Sequence, residues 1–128
     1  MHSPKLGAVL YAKRLDPVAR FYERVLGMPV AHAAADHVIL ESDAFEFVIH
    51  AIPSEIADTF EIADPPEVRE ETPIKLLFPV ARIDEARAIA ASLGGRIQPI
   101  EREWASASGR VCDGVDPEGN VFQLRQRP

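Results

Sequence analysis

The sequence feature that most constrains the fold is an internal repeat, because residues 9–27 and 77–95 follow the same pattern. Adding 68 to the residue number carries the main positions of the first stretch onto similar residues of the second: Leu10 onto Phe78, Asp16 onto Asp84, Phe21 onto Ile89, Val25 onto Leu93 and Gly27 onto Gly95. The alignment needs no gap. The chain is therefore expected to contain two copies of one structural module.

Each copy begins as an apolar strand and continues as a helix. Asp16 suits the N-cap of the first helix and Pro17 suits its first turn. Apolar residues then recur at i, i+3, i+4 and i+7 in both copies, so one face of each helix is expected to be buried. Gly27 and the Gly94-Gly95 pair are expected to end the two helices.

Three extended segments follow each helix. They are PVAHA, HVILES and AFEFVIHAI in the first half, and RIQPI, GRVCDGV and NVFQLRQ in the second. This pattern predicts an α+β fold of two tandem βαβββ modules in a single domain, residues 1–128. Module one spans about residues 5–52, a proline-rich acidic linker spans 53–73, and module two spans 74–126. The loop EREWASASG is read as an insertion of module two.

The last strands of the two modules are aligned by their alternation. Phe45, Phe47 and Ile49 are expected to share the core face with Phe122 and Leu124, because alternate side chains of a strand lie on one face. This choice aligns residue 46 with residue 123 and directs both away from the core.

Composition limits the classes of partner. Hydrophobic residues make up 47% of the chain, which suffices for a core, and the net charge of −6 argues against nucleic acid or an anionic membrane as partner. The N-terminal apolar run is too short for a signal peptide or a membrane span. The only cysteine, Cys112, is expected to be a packed thiol, and it fits a reducing, cytoplasmic location.

Two motifs carry a family resemblance. LDPVARFYERVLGMPV, at the first strand-helix boundary, and DPEGN, before the last strand, resemble the vicinal oxygen chelate superfamily of glyoxalase I, bleomycin resistance proteins and extradiol dioxygenases. The resemblance spans nearly the whole chain. It implies that the sheets of the two modules curl around a cavity, and that metal-dependent members hold a divalent ion at four inward-facing strand positions.

Those four positions fall on Gly7, Glu46, Lys75 and Gln123. Glycine offers no ligand and a protonated lysine repels a cation, so the metal site is not intact and no cofactor is expected. The ammonium of Lys75 is expected to stand in for the ion, paired with Glu46 and hydrogen-bonded by Gln123. The competing interpretation is a lysine at the end of an exposed strand, with its charge in water.

Alternation extends the expected cavity lining beyond these four positions. The further residues are Val9, Tyr11, Val48, His50, Leu77, Pro79, Val121 and Arg125. Trp104 belongs to the insertion, a segment that in similar proteins comes near the mouth of the cavity. Its ring is therefore a candidate to stack on a ligand. His50 is a candidate base or additional ligand. His32 and His37 are expected to be solvent-facing neighbours of a turn, and His2 belongs to the terminus.

Two functional hypotheses follow. In the first, a metal-independent protein, expected to be a homodimer, binds a small organic molecule in the cavity. In the second, the protein is a glyoxalase-like or dioxygenase-like enzyme, either using a divalent metal or using Glu46 and Lys75 for acid-base catalysis. The sequence does not identify the substrate, since one scaffold of this kind hosts many functions.

Overall fold

The computed structural model describes residues 3–128, and His2 lies outside them. The elements of module one are β1 (Gly7–Ala12), α1 (Leu15–Leu26), β2 (Val30–Ala33), β3 (His37–Glu41) and β4 (Glu46–Ala51). The linker contains α2 (Ser54–Ala57). The elements of module two are β5 (Leu76–Val80), α3 (Ile83–Ser92), β6 (Arg96–Ile97), β7 (Trp104–Ser106), β8 (Gly109–Val115) and β9 (Val121–Gln126).

The predicted fold class is confirmed, because each module contributes one mixed sheet and the strand orders of the two sheets correspond. In the first sheet the order is β1-β4-β3-β2, with β1 parallel to β4 and the other pairs antiparallel. In the second sheet the order is β5-β9-β8-β6, with β5 parallel to β9. The last strand of each module therefore lies beside its first strand, as a βαβββ unit requires.

One hydrophobic core spans both modules, and Tyr22 of α1 lies at its centre. The Tyr22 ring packs 5.0 Å from the ring of Phe47 in the first sheet and 5.5 Å from the ring of Phe122 in the second, measured between centroids. Phe78 of β5 packs 5.3 Å from Phe47. The side of each sheet that packs on α1 and α3 is called the core face, and the other side the open face.

The helices begin differently from the prediction. Asp16 is not the N-cap of α1, because the helix begins at Leu15 with Arg14 at the cap position, two residues earlier than predicted. The backbone N–H groups of Lys13 and Arg14 donate to the carboxylate of Glu118, at 2.8 and 2.7 Å. Similarly, the first N–H of α3 donates to the side chain of Gln126 at 2.7 Å. Side chains that are distant in sequence therefore hold the starts of both helices.

The DPEGN turn between β8 and β9 is a buried polar junction. Asp116 is fully buried, and its carboxylate accepts hydrogen bonds from the Tyr22 hydroxyl at 2.7 Å, the Glu118 N–H at 2.8 Å and the Asn120 side chain at 2.8 Å. Burial, and then the adjacent Asp116 carboxylate, raise the pKa of Tyr22 well above its ordinary value. Arg69 of the linker also donates to the Glu118 carbonyl oxygen, at 3.2 Å. The turn therefore joins module two, α1 and the linker.

The linker packs along the surface of both modules. The Lys13 ammonium donates to the carbonyl oxygen of Ala57 at 2.6 Å and also to that of Phe60. The backbone N–H of Arg69 donates to the Gly119 carbonyl oxygen at 2.9 Å. These bonds hold both halves of the linker against the modules.

The insertion of module two is more ordered than the predicted loop. It contains a short 3-10 helix, Ile100–Arg102, and then β7, which pairs antiparallel with β8. Glu103 precedes β7; its side chain is only 7% exposed, and it pairs with Arg87 of α3 and, at 2.9 Å, with Arg110 of β8. These ion pairs fasten the insertion to the sheet, and an interaction between distant residues of this kind leaves no local pattern in the sequence.

Candidate functional site

The open faces of the two sheets carry the residues that alternation singled out. Glu46 and Gln123 are partly exposed, whereas Phe47 and Phe122 beside them are 1% exposed. The same alternation places the remaining candidates on the open faces: Tyr11, Val48 and His50 in the first sheet, and Leu77 and Arg125 in the second. Lys75 directly precedes β5 and Trp104 begins β7.

The position of Gln123 along its strand differs from the prediction. Val9 pairs with Val48 in the first sheet, and its repeat counterpart Leu77 pairs with Gln123 in the second. Gln123 therefore corresponds to Val48 and not to Glu46. An error of two residues leaves a side chain on the same face of a strand, so the predicted face is right although the predicted alignment is wrong.

A polar network crosses the open face of the second sheet. The Lys75 ammonium lies 2.8 Å from Asp113 Oδ2, and the Gln123 amide donates to Asp113 Oδ1 at 3.2 Å. Arg125 donates to the Gln123 side-chain oxygen at 3.0 Å and to Ser108 Oγ at 2.9 Å. The expected Lys75–Glu46 pair is thus replaced by a Lys75–Asp113 pair.

The position of Asp113 explains this correction. Asp113 lies directly opposite Gln123 in the ladder of β8 and β9, so both side chains are on the open face beside Lys75. Sequence reasoning missed Asp113, although a signal was present. In RVCDGV, alternation directs the aspartate away from the face on which Cys112 is buried.

Glu46 lies in a different environment on the first sheet. Its partner in β1 is Gly7 and its partner in β3 is Glu41, so two carboxylate residues are cross-strand neighbours. Glu41 also pairs with the Lys5 ammonium at 3.5 Å. A Cβ atom added to Gly7 would lie 2.3 Å from the Glu46 carbonyl oxygen. The first of the four family positions therefore lacks a ligand and has no room for one on this backbone.

A cleft of about 360 Å³ opens beside the polar network of the second sheet. Its lining includes Lys75, Asp113 and Val121 from the sheet, Arg102 and Trp104 from the insertion, and Arg69 from the linker. The Trp104 side chain combines an apolar body with one polar N–H group, and the residue is 43% exposed. The cleft can therefore offer both apolar surface and positive charge to a small molecule.

A row of rings crosses the open face of the first sheet. The His37 and His50 rings lie 5.9 Å apart between centroids with an interplanar angle of 9°, and they come from directly opposed residues of β3 and β4. Tyr11 lies 5.6 Å from His50 on one side, and His32 lies 5.4 Å from His37 on the other. His37 directly follows the turn between β2 and β3 and is partly exposed, as expected, and it also lies next to His50 in the sheet.

Asp36 joins the two histidines into one group. Its Oδ1 lies 2.7 Å from His37 Nδ1, and its Oδ2 lies 3.8 Å from His50 Nε2. The hydrogen bond from His37 lowers the pKa of Asp36, and burial opposes this effect. One potential ligand atom from each of the three residues lies within 4.8 Å of the other two. Sequence reasoning missed this group because Asp36 and His50 are separated by a complete hairpin.

Among residues 3–128, no helix is long and apolar enough to cross a membrane.

Comparisons with known proteins agree with this architecture. Residues 7–125 match the family model described as "Glyoxalase-like domain". Among solved structures, the chain is similar to a glyoxalase/bleomycin resistance protein from Albidiferax ferrireducens T118, with 19% sequence identity, a TM-score of 0.68, and coverage of 95% of this chain and 97% of that one. No curated protein matches the chain in sequence.

Two further structures have resistance functions in their descriptions. The bleomycin resistance determinant encoded on the transposon Tn5 is 20% identical with a TM-score of 0.61, and 98% of each chain is covered. A genomically encoded fosfomycin resistance protein from Listeria monocytogenes is 17% identical with a TM-score of 0.65, and 100% of this chain and 96% of that chain are covered. Structural similarity at this level of sequence identity establishes the fold but does not identify the ligand. With the family model covering both modules, the chain belongs to the glyoxalase-like domain family of the vicinal oxygen chelate superfamily.

Proposed function

We propose that this protein binds a small organic molecule in the cleft of the second sheet without a metal ion at the four family positions. The observation that carries the proposal is the ion pair of Lys75 with Asp113, at 2.8 Å. A cation already neutralises the carboxylate of this face, and Gln123 donates its amide to the same carboxylate. A divalent ion at this place would be repelled by the Lys75 ammonium and would have to displace it.

The steric position of Gly7 supports the same conclusion. Its Cα approaches the backbone of Glu46 so closely that any side chain would meet the carbonyl oxygen. Gly7 and Lys75, two of the four positions predicted from the family resemblance, are thus unable to supply a ligand, and divalent sites of this kind use three or four. The proposed acid-base alternative is not favoured either, because Lys75 is paired with Asp113 and not with Glu46.

The cleft lining suggests the chemistry of the ligand. Three cationic side chains line the cleft, those of Arg69, Lys75 and Arg102. Trp104 and Val121 make the lining partly apolar. Asp113 and Glu70 offset part of that charge. We infer a ligand with an apolar or aromatic body and a negatively charged group, bound by stacking on Trp104 and by pairing with Arg102.

Fluorescence provides a direct test, because Trp104 is the only tryptophan in the chain. Purified protein is titrated in excess EDTA with a panel of aromatic and aliphatic carboxylates and phosphonates, together with bleomycin and fosfomycin. The expected result is saturable quenching of Trp104 by at least one compound, with an affinity that EDTA leaves unchanged. Binding that is lost in EDTA and restored by a divalent metal would refute the proposal.

A matched pair of variants locates the binding. Arg102→Gln removes a cation from the cleft lining, whereas Arg24→Gln removes one from the exposed side of α1. Losing one charge-assisted contact should weaken binding by about tenfold in the first variant and leave it unchanged in the second. Equal affinities for both variants would place the ligand elsewhere.

We also propose that the protein forms a homodimer through its open faces. Val9, Tyr11 and Leu77 are large apolar residues on these faces, and each is at least half exposed. Covering such a surface with a second copy would remove it from water and close the cleft. Sedimentation at micromolar concentration should give the mass of two chains, and a single-chain mass would contradict this assembly.

A further inference from the structure

We propose a second ligand site on this protein: an open binding site for a borderline divalent ion, Zn²⁺ or Ni²⁺, formed by Asp36, His37 and His50. It uses none of the four positions that the family resemblance predicted for a metal ion. His50 follows Glu46 by four residues on the same face of β4, which places it about 13 Å further along the strand. The cleft of the second sheet does not include any of the three residues.

The backbone brings the three residues together before any ion binds. His37 and His50 are direct partners in the antiparallel ladder of β3 and β4. The N–H of Ala51 donates to the carbonyl oxygen of Asp36 at 2.8 Å, which fixes Asp36 beside the end of β4. A site that is assembled by the sheet loses little conformational freedom on binding a metal.

A hydrogen bond holds His50 in a tautomer that leaves Nε2 free to bind a metal. Its Nδ1 lies 2.8 Å from the carbonyl oxygen of Ala51, and a carbonyl can only accept, so Nδ1 carries the proton. The lone pair of the neutral ring is then on Nε2, the atom that lies 3.8 Å from Asp36 Oδ2. A backbone carbonyl on the far nitrogen is a common arrangement around metal-binding histidines.

The separations between the ligand atoms suit one ion. Two ligands of a tetrahedral zinc ion lie about 3.3 Å apart, given zinc–nitrogen and zinc–oxygen bonds near 2.0 Å. The 3.8 Å between Asp36 and His50 is too long for a hydrogen bond but close to that value. His37 Nδ1 shares a hydrogen bond with Asp36 Oδ1 at 2.7 Å, and an ion can replace that shared proton. Small rotations of these partly exposed side chains complete the geometry.

The ligand chemistry selects the class of metal. Two imidazoles and one carboxylate favour borderline transition metals, while Mg²⁺ and Ca²⁺ prefer sites made of oxygen alone. Three protein ligands leave at least one coordination position for water or a small molecule. His32, 5.4 Å from His37 between ring centroids, borders the site without belonging to the group of three.

Metal titration of the tag-free, EDTA-treated and dialysed protein tests the site. Zn²⁺ and Ni²⁺ are titrated in competition with a chromophoric chelator, and Mg²⁺ and Ca²⁺ serve as comparison ions. We expect one Zn²⁺ per chain, with an affinity that falls by about tenfold or more in His50→Gln and in Asp36→Asn. Histidine side-chain NMR should show the His37 and His50 nitrogen resonances shifting together as Zn²⁺ is added.

Two control variants make the outcome decisive. His32→Gln removes the neighbouring imidazole, and Glu46→Gln removes the carboxylate at a family position, so each should change the affinity by less than about threefold. Circular dichroism establishes that all four variants are folded. The proposal fails if the wild-type protein does not bind Zn²⁺ stoichiometrically, or if Glu46→Gln weakens binding as strongly as His50→Gln does.

Discussion

The turns that join the last two strands of each module differ in their role. In module one the turn spans Ser42–Phe45 and is held by bonds between its own ends, such as Ser42 N–H to the Phe45 carbonyl oxygen at 2.9 Å. In module two the corresponding turn contains the buried carboxylates of Asp116 and Glu118 and binds α1 and the linker. The comparison shows that a duplicated unit can keep its topology while one copy takes on the task of joining the two.

The open faces have diverged in a similar way. The first sheet carries imidazoles and carboxylates, with Asp36 between His37 and His50. The second sheet carries an ammonium, a carboxylate and an amide in one network, with Asp113 between Lys75 and Gln123. The first arrangement suits a metal cation, whereas the second already contains the Lys75 ammonium as its cation. Each face can therefore have its own ligand chemistry on the same scaffold.

The largest expected effect distinguishes the two turns. Asp116→Ala leaves the Tyr22 hydroxyl and several N–H groups without their acceptor in a buried place, so it should lower the free energy of unfolding by about 4 kcal/mol. Asp43→Ala, in the exposed turn of module one, should change it by less than about 0.5 kcal/mol. Urea unfolding followed by circular dichroism measures both values. Similar losses in the two variants would mean that the turns are equivalent.

The insertion, which has no counterpart in module one, provides the next test. Burial raises the pKa of Glu103, but hydrogen bonds from Arg87 and Arg110 outweigh this, so its pKa lies below the ordinary value of 4.5. A lowered folded-state pKa contributes stability above the ordinary value, and this contribution is lost as the pH falls through the lowered value. Glu103→Gln should therefore cost about 1.5 kcal/mol near pH 7 and progressively less below about pH 4.5.

Denaturant unfolding at about pH 7 and about pH 3 measures this difference. Glu41→Gln is the matched control in module one, since Glu41 pairs with Lys5 at a more exposed place. An exposed pair should contribute less than about 0.5 kcal/mol. A constant cost of Glu103→Gln across this pH range would show that the contribution of Glu103 comes from packing alone.

The sequence predicted the local features of this fold better than its long-range contacts. The repeat, the glycine that ends α1 and the strand GRVCDGV were all visible, because each depends on a local pattern of residues. Gly27 has the left-handed φ of 64° that favours glycine at such a position. The contacts that hold the starts of α1 and α3 were not visible, because Glu118 and Gln126 are far away in sequence.

The candidate site shows the same limit. Alternation assigned Gln123 and His50 to the open faces, but it does not state how far two strands are shifted along each other. The alignment of residue 123 was therefore wrong by one pleat, and Lys75 has Asp113 as its partner. The group of Asp36, His37 and His50 needs the register of β3 and β4, which single-strand patterns do not contain.

The smallest expected effect concerns Asp113, the partner of Lys75 in the second sheet. A double-mutant cycle of Lys75→Met with Asp113→Asn should give a coupling of about 0.5 kcal/mol, because the two side chains are in contact but remain 43% and 28% exposed. The cycle of Lys75→Met with Glu46→Gln should give a coupling near zero, since Glu46 belongs to the first sheet. These substitutions keep side-chain size, so urea unfolding of the single and double variants reports mainly the charge interaction. A larger coupling with Glu46 than with Asp113 would mean that Lys75 reaches across to the first sheet in solution, and the two open faces would then form one site.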